Sequence, residues 1–400
     1  MTDNLLAGQP PTTADGGTQL LAWLREMRRN QPIWQEPSGA VHLFRHADVT
    51  AVLADPATFS SDVSQAAPDD VPNFVEGSLA ATDPPRHRKL RRIVSEAFTP
   101  KTVASLEPRI VELTNELLDA VADRDEWEFV DALSNPLPVT VIAELLGIPV
   151  ADQPKFRRWA EAAITATNDA QVGEAEFHIS DWVAEQLREM QEYLLAHAKR
   201  RLEEPTGDLM TRLATAEVDG VKLTDNELFS FAADLLFAGH ITTTMLLGNS
   251  LVSLHEHPDV AAEVRADRTL VPSFIEEVLR VRPPITLTNR LVRKDTHLGG
   301  VDVPTGGMVV AWMLSANYDE DKIPAPEAFD VHRDPNPHLA FGHGIHFCIG
   351  APLGRLETRI ALNILLNRYQ GIRPSGDGPT YHDAGGLFGV AKLPLVVTPA

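Results

Sequence analysis

The chain is poor in cysteine, in basic residues and in long apolar runs. It has one cysteine among 400 residues, so no disulfide can form within it, and the composition fits a reducing compartment. A formal net charge of −21 argues against nucleic acid or an anionic membrane as the main partner. No apolar run reaches the length of a membrane span, and the N-terminus lacks the basic and apolar regions of a signal peptide. These absences predict a soluble, cytoplasmic protein.

The chain also lacks the features that separate domains. No Gly/Ser-rich linker, low-complexity tract or internal repeat interrupts it, and 44% of its residues are hydrophobic, which suffices for a large core. Residues 1–17 are polar and Pro-rich. We therefore expect a loose segment over 1–17, followed by a single domain over residues 18–400.

Helical periodicity dominates the sequence. It predicts a helix over 20–29 and mostly helical structure from Pro84 to about Pro258. The pattern therefore predicts a mainly α protein with a small β-rich part. Short strands are predicted at 33–34, 41–44, 287–292 and 308–312.

The single cysteine, Cys348, lies in the run Phe-Gly-His-Gly-Ile-His-Phe-Cys-Ile-Gly, residues 341–350. An isolated cysteine is most often buried and inert. Here Gly342, Gly344 and Gly350 allow a tight backbone, and a predicted helix begins directly afterwards. The free N–H groups of a helix N-terminus stabilise a thiolate. The residues alone therefore favour a thiolate that is held on a loop to bind a ligand.

This run resembles the haem-binding loop of the haem-thiolate monooxygenases, the cytochromes P-450, whose pattern is Phe-Gly-x-Gly-x-His-x-Cys-x-Gly. The resemblance implies that Cys348 is the axial ligand of the iron of haem b (iron protoporphyrin IX) and that His346 binds a haem propionate. It extends over nearly the whole chain. It implies the cytochrome P-450 fold, a triangular, mainly helical bundle with a small β-rich part.

A second motif, residues 83–91, reads Asp-Pro-Pro-Arg-His-Arg-Lys-Leu-Arg and opens a predicted helix. His87 and Arg91 are four residues apart and share a face. A solvated basic face is the ordinary interpretation. The motif resembles the family pattern Asp-Pro-Pro-x-His-x-x-x-Arg, which implies that both residues bind haem propionates. The extra positive charge of Arg88, Lys89 and their neighbours predicts a docking site for an acidic redox partner.

A long helix is predicted in the middle of the chain. Thr224 and Glu227 form a capping box, and the helix can extend to His257, because Pro258 follows. Residues 237–244 read Phe-Ala-Gly-His-Ile-Thr-Thr-Thr. Glycine and β-branched residues are poor helix formers, so this stretch predicts a local distortion. The alternative is a helix-packing glycine with threonine hydroxyls bonded to the preceding turn.

The same stretch resembles the family's oxygen-binding helix, Ala-Gly-x-Asp/Glu-Thr. The resemblance implies that Ala238 and Gly239 leave room for dioxygen, and that Thr242 hydrogen-bonds the oxygen and guides protons to it. Ile241 replaces the usual acidic residue. Water, a neighbouring hydroxyl or imidazole, or the substrate would then supply protons. This departure resembles the actinobacterial macrolide hydroxylases.

Two further motifs carry little weight alone. Glu277 and Arg280 form Glu-x-x-Arg, a spacing that pairs charges on many helix surfaces. By resemblance they are the family's structural pair, linked through Arg333 to the Pro-rich segment 319–338. Arg290, in a predicted strand, is either an exposed arginine or, by resemblance to the family's Arg-x-x-x-x-Asp, another propionate ligand.

The resemblance implies a monooxygenase that inserts one oxygen atom of O2 into a C–H bond. Electrons would come from NAD(P)H through a separate ferredoxin and ferredoxin reductase, and the enzyme would be a monomer. We expect a bulky, mostly apolar small-molecule substrate, a macrolide or other polyketide of secondary metabolism. The alternatives are epoxidation, coupling or isomerisation by a haem-thiolate enzyme, or a haem-based ligand-binding protein. By family position the pocket would be formed by residues 60–77, 165–177, Phe237, 285–288 and 387–390.

Overall fold

The computed structural model of the protein describes residues 10–63, 78–152, 154–156, 158–160, 162 and 180–400. The chain divides into two compact units. Unit 1 contains residues 1–60, 107–134 and 243–400, and unit 2 contains residues 61–106 and 135–242.

The helices and strands have the following bounds. The α-helices are α1 Thr18–Asn30, α2 His46–Ala54, α3 Arg86–Ser95, α4 Pro100–Ser105, α5 Glu107–Asp119, α6 Pro136–Leu145, α7 Asp181–Glu203, α8 Leu209–Thr215, α9 Asp225–Glu256, α10 Pro258–Ala266, α11 Val271–Val281, α12 Met313–Ala316 and α13 Ala351–Arg368. The strands are β1 Ile33–Gln35, β2 Val41–Leu43, β3 Phe59–Ser60, β4 Glu126–Glu128, β5 Glu217–Val218, β6 Val221–Lys222, β7 Thr288–Val292, β8 Thr296–Leu298, β9 Val301–Val303, β10 Met308–Ala311, β11 Tyr369–Pro374, β12 Thr380–Tyr381, β13 Val390–Lys392 and β14 Pro394–Pro399. The helix predicted over 20–29 and the four predicted strands are therefore confirmed, as α1, β1, β2, β7 and β10.

Unit 1 is built around a five-stranded sheet in the order β1-β2-β10-β7-β3. The pair β2–β10 is parallel and the others are antiparallel. The sheet is rich in β-branched residues, which pack well on a pleated surface, and Val41, Val309 and Val292 belong to one buried cluster. Arg290 lies opposite Val309 in this sheet, so its backbone position is fixed by a core strand.

The start of the chain packs against this unit. Thr13 is fully buried, and its hydroxyl lies 2.8–2.9 Å from the carbonyl oxygens of His382, Ala384 and Leu387. The expected loose segment is therefore wrong for residues 10–17, because a polar side chain anchors them. Residues 1–9 lie outside the described part of the chain.

A buried ion pair joins α11 to the Pro-rich segment. Both Glu277 and Arg280 are 0% exposed, and two hydrogen bonds of 2.7 and 2.8 Å connect them. Arg333 approaches the same carboxylate at 3.3 Å. Arg280 also donates to the carbonyl oxygens of Pro326 and Ala328. A segment without regular structure is thus held by charged groups, and the contacts are those that the resemblance implies.

The long helix α9 begins with the predicted capping box. Thr224 N donates to Glu227 Oε2 at 2.9 Å, and Glu227 N donates to Thr224 Oγ1 at 3.2 Å. The helix ends before Pro258, as predicted. It is α-helical from Asp225 to Glu256, so no break in the helix accompanies Gly239, and a smaller local distortion there stays a prediction. Among the described residues it is the one helix long and apolar enough to cross a membrane, but 72% of its apolar window is buried inside the protein.

Candidate functional site

The Cys348 loop of unit 1 has a backbone that only glycine fits well. Gly342 and Gly344 have φ angles of +71° and +70°, where a side chain is strained. A Cβ at Gly344 would lie 2.7 Å from the carbonyl oxygen of Leu53, which is too close. Cys348 N closes the loop by donating to Phe341 O at 2.9 Å. Gly344 is therefore required for this loop to pack on α2, and Gly342 is favoured by its positive φ.

Cys348 itself lies just before the first turn of α13. The residue is partly exposed, and Ala351 N approaches its carbonyl oxygen at 3.4 Å. His346 ends a single 3₁₀ turn in the same loop. Because the N-terminal N–H groups of a helix favour negative charge, the location suits a thiolate. The prediction of a sulfur held on a loop ahead of a helix is confirmed.

A charged network supports this loop and was not found from the sequence. Arg355, on α13, makes two hydrogen bonds of 2.6 and 2.7 Å to Glu276 and lies 4.4 Å from the ring centre of Phe341. His338 donates to Glu276 at 3.1 Å. Burial alone would raise the pKa of Glu276, but the bonds from Arg355 and His338 lower it to about 2. The carboxylate therefore stays ionised and holds Arg355 over the loop's first aromatic ring.

Arg290 is buried within unit 1. It is 7% exposed, and its guanidinium donates to Thr288 Oγ1 at 3.0 Å and to Asn289 O at 2.7 Å. The alternative of an exposed strand arginine is therefore wrong. A buried guanidinium has a fixed fork of donors that suits a carboxylate such as a propionate.

In unit 2, His87 and Arg91 lie one turn apart on α3, as the spacing predicts. His87 is 1% exposed. Burial lowers the pKa of its imidazole, Arg91 lowers it further, and Asp83 acts in the opposite direction. His87 is thus favoured as a neutral donor at neutral pH, beside a permanent cation.

Helix α9 is mostly buried, but the middle of the helix has one face that is partly accessible to solvent. Its non-buried residues within unit 2 include Asp234, Phe237, Ala238, Ile241 and Thr242. Their spacing of three and four residues places them on a single face, which we call the α9 stripe. Ala238 and Thr242, which sequence reasoning assigned to oxygen, therefore lie together on a face that can receive a ligand.

The hydroxyl of Thr242 donates to Ala238 O at 2.7 Å. This is the bond to the preceding turn that the sequence allowed as an alternative. Gly239 points toward α6, since a Cβ there would lie 3.1 Å from Ile142 Cγ1. Close helix packing is a sufficient reason for glycine at this position. Its role in making room for dioxygen stays a prediction from the resemblance.

The basic patch on α3 is partly neutralised. Arg86 is paired with Glu227, and Lys89 is paired with Asp219. The exposed Arg88 and Arg92, which are four residues apart on α3, form no ion pair with a described residue. These two cations therefore carry the accessible charge of the patch.

Two of the segments predicted to form the pocket meet in unit 1. Ile285 and Leu387 form an isolated β-bridge, and Thr286 N donates to Gly386 O at 3.1 Å. Asn249 of α9 donates to Phe388 O at 2.8 Å. Residues 165–177, and 64–77 of the segment 60–77, lie outside the described residues.

Glu357, on α13, is a buried acid that sequence reasoning missed. It is 1% exposed, and its Oε2 has no hydrogen-bond partner among the described residues. Burial raises the pKa of this carboxyl well above 4.5. No local pattern marks it, because an acid between Leu356 and Thr358 looks like a surface residue in the sequence.

Glu357→Gln is expected to remove a pH dependence of stability. The carboxyl of Glu357 has a higher pKa in the folded protein than in the unfolded chain. Its protonation therefore stabilises the folded protein fully at a pH below the unfolded pKa, and this stabilisation is lost as pH rises toward the folded pKa. The slope is at most about 1.4 kcal/mol per pH unit for one proton. Urea unfolding of the haem-loaded wild type and variant between pH 5 and 8 measures the difference. The exposed Glu185→Gln serves as the control, and a difference that is constant with pH would refute the expectation.

The residues of unit 1 suit a haem, because Cys348 lies on a glycine-rich loop and Arg290 is a buried cation. Within unit 2, the His87–Arg91 pair suits carboxylate groups. A soft thiolate is a known ligand of haem iron. Buried arginine and histidine suit carboxylate groups that lie out of water.

Comparisons with known proteins agree with this assignment. The family model described as Cytochrome P450 matches residues 32–398. Cyclomarin C epoxidase CymV of Salinispora arenicola is 44% identical over 387 residues, 96% of this chain and 97% of that protein. Erythromycin C-12 hydroxylase of Saccharopolyspora erythraea is 46% identical over 88% of this chain and 87% of its own. A mutant of P450 EryK in complex with erythromycin B has a TM-score of 0.89, with 41% identity and 98% coverage of both chains. The expected fold, mainly α with a small β-rich part, is confirmed.

Proposed function

We propose a substrate class, a set of site residues and an electron source from one premise: the chain belongs to the cytochrome P450 family and is a monooxygenase that uses haem-thiolate iron and O2. The family match extends through residues of both units, so residues 18–400 form a single catalytic domain in this proposal. We place the enzyme in the cytoplasm as a monomer, without membrane or nucleic acid as a partner.

The cofactor would be haem b, and the sulfur of Cys348 would bind its iron. The propionates would be held by His346, Arg290, His87 and Arg91. The support is chemical: one thiolate stands at a helix N-terminus, and Arg290 and His87 are buried. When bound, the haem supplies oxygen activation, and a thiolate ligand favours O–O cleavage. The chain's own groups hold the cofactor, exclude water and deliver protons.

Thr242 is the proton-handling residue of the α9 stripe. Its hydroxyl now donates to Ala238 O, and it can instead donate to an oxygen atom on the accessible side. Ile241 has no ionisable group, so water or the substrate passes protons to Thr242. Ala238 and Gly239 leave room for dioxygen beside it.

Thr242→Ala is expected to uncouple electron use from product formation. General acid–base groups contribute about 10²- to 10⁴-fold, so product per NAD(P)H falls by on the order of 10²-fold while NAD(P)H is still consumed. Ser250→Ala is the matched control, since Ser250 makes the same bond to its preceding turn at 2.7 Å, in the buried part of α9. Unchanged product per electron in Thr242→Ala would rule out the role.

The substrate is a bulky, mostly apolar small molecule with some oxygens, a macrolide or other polyketide of secondary metabolism. The apolar members of the α9 stripe, Phe237, Ala238 and Ile241, support an apolar substrate. One similar protein is named an erythromycin C-12 hydroxylase, which supports insertion into a C–H bond of such a molecule. Another is named an epoxidase, so epoxidation is the second candidate reaction.

A turnover assay with ¹⁸O₂ tests the function. Haem-loaded enzyme, a surrogate ferredoxin, its reductase and NAD(P)H are incubated with macrolides that bind, as judged by the haem spectrum. A product with one ¹⁸O atom supports the proposal, and saturated and alkene-containing substrates separate hydroxylation from epoxidation. Binding without oxygenation of any tested macrolide would instead favour a ligand-binding protein or another chemistry.

The electrons come from NAD(P)H through a ferredoxin and its reductase, and the ferredoxin docks on Arg88 and Arg92. Both are exposed and four residues apart. Electrostatic steering raises association rates by about 10–10³-fold and weakens with salt.

Arg88→Glu/Arg92→Glu is expected to slow reduction by an acidic ferredoxin at least about tenfold at low salt. The salt dependence of the rate should shrink at the same time. Stopped-flow reduction of the haem at several ionic strengths measures both quantities. The control Arg188→Glu/Lys199→Glu makes the same charge change on exposed positions of α7. Equal rates and slopes for the two double variants would exclude this docking surface.

A further inference from the structure

Asp234 is a carboxylate on the α9 stripe that the proposed chemistry does not use. It accepts a hydrogen bond from Leu79 N at 3.0 Å. Ser78 and the backbone of Ala80 lie near the same carboxylate and act to lower its pKa. One hydrogen bond, with polar groups of the two flanking residues beside it, thus connects residues 78–80 to one side chain of α9. Both elements belong to unit 2.

Residues 78–82, which we call the limb, form a compact turn. Ala81 N donates to Ser78 Oγ at 3.3 Å, and Thr82 Oγ1 donates to Ser78 O at 2.6 Å. The next residue, Asp83, accepts a hydrogen bond from Ser61 N at 3.1 Å. The limb is therefore ordered internally and tied at its far end, and Asp234 provides its polar attachment to α9.

The attachment lies on the face that carries the oxygen-side residues. Asp234 is four residues before Ala238 and eight before Thr242, so the three share one face. Eight residues of helix correspond to about 12 Å. The limb therefore meets the α9 stripe about two turns from Thr242, at a distance that a bulky substrate can span.

We propose that Asp234 is a positioning residue: it holds the limb against α9, and the limb thereby forms one wall of the substrate site. This inference rests on the proposed function, because it takes the α9 stripe as the substrate-facing side. It predicts that Asp234 controls the fit and orientation of the substrate, while proton delivery depends on Thr242.

The charge state of Asp234 gives the attachment a pH dependence. Burial raises the pKa of its carboxyl to about 6, against the lowering effect of Ser78, Leu79 and Ala80. No other ionisable side chain of the described residues shifts it. The nearest acids on the two elements have their own partners: Glu227 pairs with Arg86, and Asp83 accepts from Ser61 N.

Proton binding by Asp234 determines how pH changes the attachment of the limb to α9. An opened limb exposes Asp234 to water and returns its pKa toward 3.8, so the closed limb binds a proton more tightly than the open one. The limb is therefore held most firmly at low pH. The protection of its backbone amides against hydrogen exchange therefore decreases by at most about tenfold per pH unit as pH rises from 4 to 6, and is constant at higher pH.

Hydrogen exchange of the haem-loaded enzyme tests the attachment without using activity. In Asp234→Ala, the protection factors of the Leu79 and Ala80 amides should fall at least tenfold. In Asp234→Asn they should no longer change between pH 4 and 6. Asp225→Asn, exposed in the first turn of α9, is the control. Wild-type protection at both amides in Asp234→Ala would overturn the proposal, and so would wild-type pH dependence in Asp234→Asn.

Steady-state kinetics and product analysis test the consequence for substrate. With a macrolide that the wild type oxidises, Asp234→Ala should raise KM at least tenfold or shift the oxidised carbon, with product per NAD(P)H preserved. A merely structural defect would instead lower haem content and kcat together. If the exchange result holds but KM and product are unchanged, the limb is attached yet is not a substrate wall, and the proposal is wrong. If no macrolide is oxidised, the proposed function fails, while the exchange result still stands on its own.

Discussion

Glu277→Ala is expected to lower the free energy of unfolding by about 3–5 kcal/mol, the cost of leaving a buried ion without its partner. Both members of the Glu277–Arg280 pair are fully buried. Without the carboxylate, Arg280 keeps only carbonyl partners such as Pro326 O and Ala328 O. Arg333 also loses its ion partner. The guanidinium of Arg280 is then buried without a counter-ion.

Removing the Glu277 carboxylate should also destabilise the Pro-rich segment, because residues of that segment bond to it. Asp330 N donates to Glu277 Oε1 at 2.9 Å, and Asn336 Nδ2 donates to Glu277 Oε2 at 3.1 Å. A segment without helix or strand has few other regular bonds to hold it. Hydrogen exchange of these residues should therefore increase before the rest of unit 1 unfolds.

Urea unfolding of the haem-loaded protein measures the effect. Glu112→Ala is the control, since Glu112 pairs with Arg109 at the same i, i+3 spacing but with 60% of its side chain exposed. Exposed pairs contribute about 0–1 kcal/mol. If Glu277→Ala does not accumulate, Arg333→Met removes only the outer cation and should cost about 1–3 kcal/mol. A loss below 1 kcal/mol in either variant would contradict a structural role.

The features that the sequence predicts best are those formed by residues close together in the chain. The capping box of Thr224 and Glu227 is a contact between neighbours, so its residues reveal it directly. Among the glycines beside Cys348, Gly344 marks a point where the loop packs too closely for a Cβ. Both features depend on residues that are a few positions apart, and local pattern reading is suited to them.

Contacts between distant residues could not be predicted in the same way. Glu276 and Arg355 are 79 positions apart, and Asp234 and Leu79 are 155 apart. Thr13 has the pattern of a loose terminus, although it is anchored by carbonyls 369 to 374 positions away. Each of these pairs depends on which elements the fold brings together. Periodicity and composition carry no information on that pairing.

Cys348→Ser is expected to abolish the thiolate signature in the absorption spectrum of the reduced, CO-bound protein, and to reduce turnover to background. Serine keeps nearly the same size, and the backbone bond from residue 348 N to Phe341 O does not involve the side chain. The loop should therefore keep its conformation. A hydroxyl is a harder and less electron-donating ligand than a thiolate, so the electron donation that favours O–O cleavage is lost.

Two measurements separate loss of ligation from loss of fold. The free energy of unfolding of Cys348→Ser without haem should stay within about 0.5 kcal/mol of wild type, as expected for a substitution that leaves no cavity or buried charge. Phe347→Leu is the control: Phe347 is adjacent to the cysteine and 43% exposed, so this variant should keep the thiolate spectrum. Because the chain has no second cysteine, a thiolate spectrum that persists in Cys348→Ser cannot come from another residue of the protein. That result would withdraw Cys348 as the ligand, and with it the chemical basis for assigning the propionate role to His87, Arg91, Arg290 and His346.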